Sequence, residues 1–152
     1  MTNKKILFTG GNGFIGRQII PLIESAGYDV VRPRSTQVRL EVDEEVATLF
    51  SDGQHYDAII HAAIVGGRRD VDDDWGVMHT NLNMFETLYK YIDHTDMFIN
   101  LDSGASYGRP APVPEPSPQD FGQVIPGDPY GFSKYIIAKR VLADPKGVNL
   151  RI

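Results

Sequence analysis

One glycine-rich turn near the amino terminus, Gly10-Gly11-Asn12-Gly13-Phe14-Ile15-Gly16, constrains this chain more than any other feature. It follows the apolar run Lys5-Ile6-Leu7-Phe8-Thr9, which reads as a strand covered on both faces. It precedes apolar residues at helical spacing, Phe14-Ile15, Ile19-Ile20 and Leu22-Ile23. The spacing G-x-x-G-x-x-G between a strand and a helix gives each glycine a task. The first turns the chain sharply, and the next lets backbone N–H groups approach a diphosphate lying on the helix N-terminus. The last lets helix pack closely on strand. This context separates a dinucleotide fingerprint from an ordinary glycine-rich turn. Gly10, Gly13, Phe14, Ile15 and Gly16 are therefore predicted to contact a dinucleotide.

The same alternation continues along the chain. After a stop at Gly27, Tyr28–Arg32 reads as a second strand, Asp43–Asp52 as a helix and Asp57–His61 as a buried strand. Trp75–Tyr91 is a long helix, Met97–Leu101 a further strand, Pro129 to about Ala143 a last helix, and Gly147–Ile152 strand-like. Such a pattern predicts an α/β fold of the Rossmann type: a three-layer parallel sheet, helices on both faces, right-handed crossovers. One domain, residues 1–152, is expected. Five prolines between Gly108 and Gln119 make that stretch an extended surface loop. The chain stops inside an apolar strand, and the expectation is a fragment truncated before a further, substrate-binding part.

Composition matters mainly for what it excludes. With 15 Lys plus Arg against 20 Asp plus Glu, the net charge of -5 argues against a nucleic-acid partner. No cysteine is present, which excludes a disulfide framework, a thiolate metal site and a cysteine nucleophile. The apolar run at Ile6 is too short for a signal peptide, and none is long enough for a membrane span. A cytoplasmic protein without a membrane partner is expected. His55, His79 and His94 lack partners at ligand spacing, so no metal is expected. Arg68-Arg69 with Asp70, Asp72, Asp73 and Asp74 reads as a solvated loop entering the long helix, with Asp74 placed to cap it.

Three further positions carry chemistry. Dinucleotide sites specific for NAD place a carboxylate at the end of the second strand to hold the ribose 2′-hydroxyl. Here Val31-Arg32-Pro33-Arg34-Ser35 offers two guanidiniums instead. Arg32 and Arg34 suit a 2′-phosphate, so NADP(H) is favoured and NAD(H) remains an alternative. Tyr130-Gly131-Phe132-Ser133-Lys134 puts a phenol and an ammonium one helical turn apart on one face. The cation favours phenolate and pulls the phenol below its usual pKa of about 10, toward general acid–base work. Ser103 follows the strand Met97–Leu101, at the carboxyl edge where the sites of open parallel sheets gather.

Taken together, these segments resemble the extended short-chain dehydrogenase/reductases, the NAD(P)-dependent sugar-nucleotide epimerase/dehydratase family. Thr9-Gly10-Gly11-Asn12-Gly13-Phe14-Ile15-Gly16 matches its TGGxGFIG motif, and Pro129–Lys134 matches PYxxSK. His61-Ala62-Ala63 resembles the H-x-A segment lining the cofactor, Asn81-Leu82-Asn83 the N-x-N element of the long helix, and Ser103–Gly108 the S-x-x-x-Y-G segment. Ala63-Ile64-Val65-Gly66-Gly67 and Val31-Arg32-Pro33-Arg34 are closest to GDP-L-fucose synthase-like members. Two departures stand out. Ala105 occupies the place of their catalytic cysteine, which weighs against double epimerisation, and the T-D-E of the 4,6-dehydratases is absent.

The resemblance implies an epimerase or reductase acting on a nucleotide-activated sugar. It implies Ser103, Tyr130 and Lys134 as catalytic residues and His61, Ala62, Ala63 and Asn81 as cofactor contacts. It also implies a homodimer through the long helix, whose Leu82, Phe85, Leu88 and Tyr89 otherwise read as core. The competing reading is a dinucleotide-binding module without turnover.

Overall fold

The computed structural model describes residues 4–68, 70–108 and 118–152. Most of the proline-rich stretch read as a surface loop, and Arg69, lie outside the described residues. Five strands, β1 (Lys5–Thr9), β2 (Asp29–Val31), β3 (Ala58–His61), β4 (Phe98–Asp102) and β5 (Gly147–Arg151), form a parallel sheet among them. The order is β2-β1-β3-β4-β5. The chain runs outward from β1 to β2 and then returns to the other side of β1. The β1/β3 boundary is therefore the switch point, where open parallel sheets form a crevice.

Apolar residues alternate along β1 and divide the core into two layers. Ile6 and Phe8 join Ile20, Ile60 and Leu101 beneath α1 (Phe14–Ser25). Leu7 joins Ile59, Phe85, Leu88, Phe98, Ile137 and Val141 beneath α3 (Trp75–Tyr89) and α4 (Pro129–Leu142). Because both faces are covered, the strands read as continuous apolar runs. Local chemistry sets the helix ends. Gly27 closes α1 in the left-handed region at φ 90, its N–H donating to Glu24 O. Asp74 caps α3 as its sequence position suggests, Oδ1 accepting from Gly76 N at 2.6 Å.

One element differs from expectation. The helix read over Asp43–Asp52 is helical only as α2 (Asp43–Ala47), continuing as a 3-10 turn over Thr48–Gly53. The Thr48 hydroxyl donates to Glu45 O at 2.6 Å and the Ser51 hydroxyl to Thr48 O at 3.0 Å, and Asp52 takes φ 55. Short polar side chains that bond their own backbone compete with the helix here.

Candidate functional site

The glycine turn is built by close approach. Gly10 has φ 70, and a Cβ there would stand 2.7 Å from the Ala62 carbonyl carbon and the Ala63 nitrogen. The loop leaving β1 therefore lies directly on the end of β3, at the switch point. A Cβ on Gly16 would reach within 2.5 Å of Gly11 Cα, so α1 touches the turn itself. Gly13 N donates to Gly10 O at 2.9 Å and closes the turn. Among the described residues no side chain caps the start of α1, and no acidic residue sits in its first turn. The positive end of the helix therefore lies at the glycine turn, the arrangement that receives a diphosphate. A Cβ on Gly11 would lie 3.0 Å from Arg32 Cβ, which places Arg32 beside the turn. Arg32 and Arg34 are exposed and form no ion pair with a described residue.

The second half of the site is the start of α4 packed against β4. Asp128 caps α4, Oδ1 accepting from Gly131 N at 2.8 Å, and Pro129 opens its first turn. Lys134 is 4% exposed, and its Nζ donates to Leu101 O at 2.7 Å. A Cβ on Gly131 would sit 2.9 Å from Ala105 O, so the first turn of α4 abuts the 3-10 turn Gly104–Tyr107. Ser103 lies between these two contacts and caps that turn, Oγ accepting from Ala105 N at 3.3 Å. Tyr130, Lys134 and Ser103 are thus gathered at one edge, Tyr130 half-buried one turn before Lys134. Burial pulls the Lys134 ammonium from 10.5 down to about 8, with Asp102 opposing the shift.

A polar row, buried at Thr9, His61 and Asn100 and half-buried at Asn149, underlies this edge. Thr9, His61, Asn100 and Asn149 are register partners across β1, β3, β4 and β5. Thr9 Oγ1 and His61 Nδ1 share a hydrogen bond of 2.9 Å. Asn100 Nδ2 donates to Asn149 Oδ1 at 2.6 Å, and Asn149 Nδ2 to Asp102 Oδ2 at 2.8 Å. Ser106 Oγ donates to the same Asp102 oxygen at 2.9 Å. His61 Nε2, Asn100 Oδ1 and Asp102 Oδ1 are buried with no partner among the described residues. Burial, and then the Lys134 charge, holds the His61 pKa down to about 3, so this imidazole is neutral.

Asn81, expected to contact the cofactor, is fully buried. Its Oδ1 accepts from Val65 N at 2.9 Å, and its Nδ2 donates to Val65 O at 3.0 Å and Ser133 Oγ at 3.2 Å. Asp73, read as one of several solvated acids, instead accepts from Gly67 N at 2.8 Å through Oδ2. Nothing in the sequence marked that role except the Gly66-Gly67 pair a few residues earlier. Two exposed pairs are formed by Arg68 with Asp70 at 2.6 Å and by His55 with Asp96 at 3.0 Å. Among the described residues no cluster of His, Asp and Glu could hold a metal ion, and no helix is long and apolar enough to cross a membrane.

Comparison with known proteins adds to this geometry. Residues 6–150 match the model of the NAD dependent epimerase/dehydratase family. A Methanocaldococcus jannaschii protein, provisionally named a UDP-glucose 4-epimerase, is 30% identical over 86% of this chain and 48% of its own. The GDP-L-fucose synthase of Azorhizobium caulinodans is 35% identical over 42% of this chain and 20% of its own. Among solved structures, the GDP-mannoheptose C4 reductase of Campylobacter jejuni with NADP bound superposes with a TM-score of 0.80 at 15% identity. That likeness covers 99% of this chain and 51% of the reductase and speaks for the fold. The chain thus spans about half the length of such relatives.

Proposed function

The chain belongs to the NAD-dependent epimerase/dehydratase family, and from that premise we propose that it binds a nicotinamide dinucleotide and serves an epimerase or reductase of nucleotide-activated sugars. The turn at Gly10–Gly16 fits such a ligand, because it pairs an uncapped helix end with glycines that admit no side chain. The N–H groups at the start of α1 would hold the diphosphate. Arg32 and Arg34 would hold a 2′-phosphate, which favours NADP(H) over NAD(H). Ala62 and Ala63 would line the crevice, with His61 beneath them. When bound, the nicotinamide supplies or takes up hydride at the sugar carbon.

The chain's own residues supply the proton and the orientation. Lys134 would hold the ribose and favour the phenolate of Tyr130 one turn away. Tyr130 would exchange a proton with the sugar oxygen, and Ser103 would donate a hydrogen bond to that oxygen and orient it. The observation that carries this reading is the packing of α4 on β4 and on the 3-10 turn that follows it: Lys134 bonded to Leu101 O, and Gly131 against Ala105. Together they support a site in which the phenol and the ammonium act beside Ser103. The exposed face of α3 would carry self-association into a dimer, which sedimentation velocity measures.

The test joins two measurements. Fluorescence titration should show NADPH bound more tightly than NADH. A screen of nucleotide sugars should find turnover that Tyr130→Phe abolishes, by ~1,000-fold or more, while NADPH affinity stays nearly constant. Cofactor binding without turnover of any nucleotide sugar would favour a non-catalytic dinucleotide module.

A further inference from the structure

The loop between β3 and α3 is held with more care than a connection requires. Gly66 and Gly67 are consecutive residues in the left-handed region, at φ 77 and φ 78. Asn81 bonds both the N–H and the carbonyl of Val65, immediately before them. Asp73 closes the turn from the other side, accepting from Gly67 N at 2.8 Å while its Oδ1 would stand 2.6 Å from a Cβ on Gly66.

What this turn faces is the ring of Tyr130. A Cβ on Gly67 would lie 2.6 Å from both Cε2 and Cζ of Tyr130 and 2.8 Å from Cδ2. The ring therefore occupies the space that any side chain at position 67 would need. Asn81 reaches the same residue from behind: its Nδ2 donates to Ser133 Oγ, which donates to Tyr130 O at 2.7 Å. Backbone and ring of Tyr130 are thus fixed by one connected set of groups.

We propose that Gly67 is a positioning residue, and that the Gly66–Gly67 turn, closed by Asp73, is the seat that fixes the Tyr130 phenol beside Lys134 and Ser103. This rests on the reading of Tyr130 as the acid–base group. Carbon atoms in contact stay about 3.5–4.0 Å apart, so a methyl group at 67 displaces the ring by about 1 Å. Misplacement of a reacting group by that distance costs roughly 100-fold in rate.

The test uses the full chain with isotope-labelled tyrosine, the Tyr130 ring signal being assigned by its loss in Tyr130→Phe. In Gly67→Ala the Tyr130 signal moves as the ring leaves its seat. NADPH affinity stays within about twofold, and kcat on the sugar found by the screen falls roughly 100-fold with little change in KM. Asp73→Ala gives a smaller displacement in the same direction. Asp73→Asn restores the wild-type signal, because its amide oxygen still accepts from Gly67 N. A Tyr130 signal unmoved in Gly67→Ala overturns the proposal. Should that variant not fold, identical Tyr130 signals in Asp73→Ala and wild type overturn it equally. Full turnover in Tyr130→Phe would instead remove the acid–base reading, leaving the seat to be judged by the ring signal alone.

Discussion

Replacing Lys134 with methionine gives the sharpest physical test of the site. The side chain is 4% exposed, and burial lowers its pKa from 10.5 in the unfolded chain to about 8 in the fold. Below pH 8 both states carry the charge, and the native state bears the full cost of burying it. Between about 8 and 10.5 the native lysine has lost its proton while the unfolded one keeps it. The unfolded state then binds more protons, so stability rises with pH across that window. A drop of about 2.5 units at 1.36 kcal/mol per unit relieves about 3 kcal/mol. Methionine is of similar length and cannot titrate, so Lys134→Met lacks this rise while other titrating groups cancel in the difference. Urea denaturation followed by far-ultraviolet circular dichroism, without cofactor, from pH 7 to 10.5, measures both proteins. Wild type should gain about 3 kcal/mol relative to Lys134→Met across the range. Parallel stability curves would mean that Lys134 is solvated, and the argument from its burial would fail.

Three other outcomes follow from the geometry. Gly10→Ala strains a residue at φ 70 and drives a methyl into the Ala62–Ala63 backbone, so thermal melting should show a loss of about 2 kcal/mol or more, with weakened NADPH binding. Arg32→Ala should cut the preference for NADPH over NADH roughly tenfold by fluorescence titration, and equal effects on both cofactors would remove the 2′-phosphate argument. His61, with its pKa driven from 6.5 to about 3, should stay neutral by nitrogen NMR at pH 5. Because the unfolded chain protonates that imidazole first, its contribution to stability is lost as pH falls from about 6.5 toward 3. An imidazolium signal at pH 5 would contradict the buried placement.

Much of this site was readable because its signals are local. The turn Gly10–Gly16, the cap at Asp74 and the Tyr130–Lys134 pair each depend on neighbours within a few residues. The alternation of apolar strands and helices likewise carried the sheet and its two layers. What escaped was of two kinds. The Asp43–Asp52 segment has helical spacing, but the hydroxyls of Thr48 and Ser51 bond local carbonyls and convert its second half to a 3-10 turn. Gly67 escaped because its partner in space, Tyr130, lies on another element far along the chain, and Asp73 escaped because it reads as one of a run of solvated acids. No period or spacing joins a glycine pair after β3 to a ring at the start of α4. The row Thr9–His61–Asn100–Asn149 is similar: each residue is a polar position in its own strand, and only strand order and register reveal that they are neighbours.

The central claim concerns one crevice, between the ends of β1 and β3, and the groups that converge on it from α1 and α4. A crystal structure of this chain grown with NADPH tests it most directly. The account places the diphosphate on the backbone of residues 13–16, the 2′-phosphate at Arg32 and Arg34, and the nicotinamide ribose at Lys134. A dinucleotide bound elsewhere, or lying in the crevice with its nicotinamide turned away from Tyr130, would contradict it.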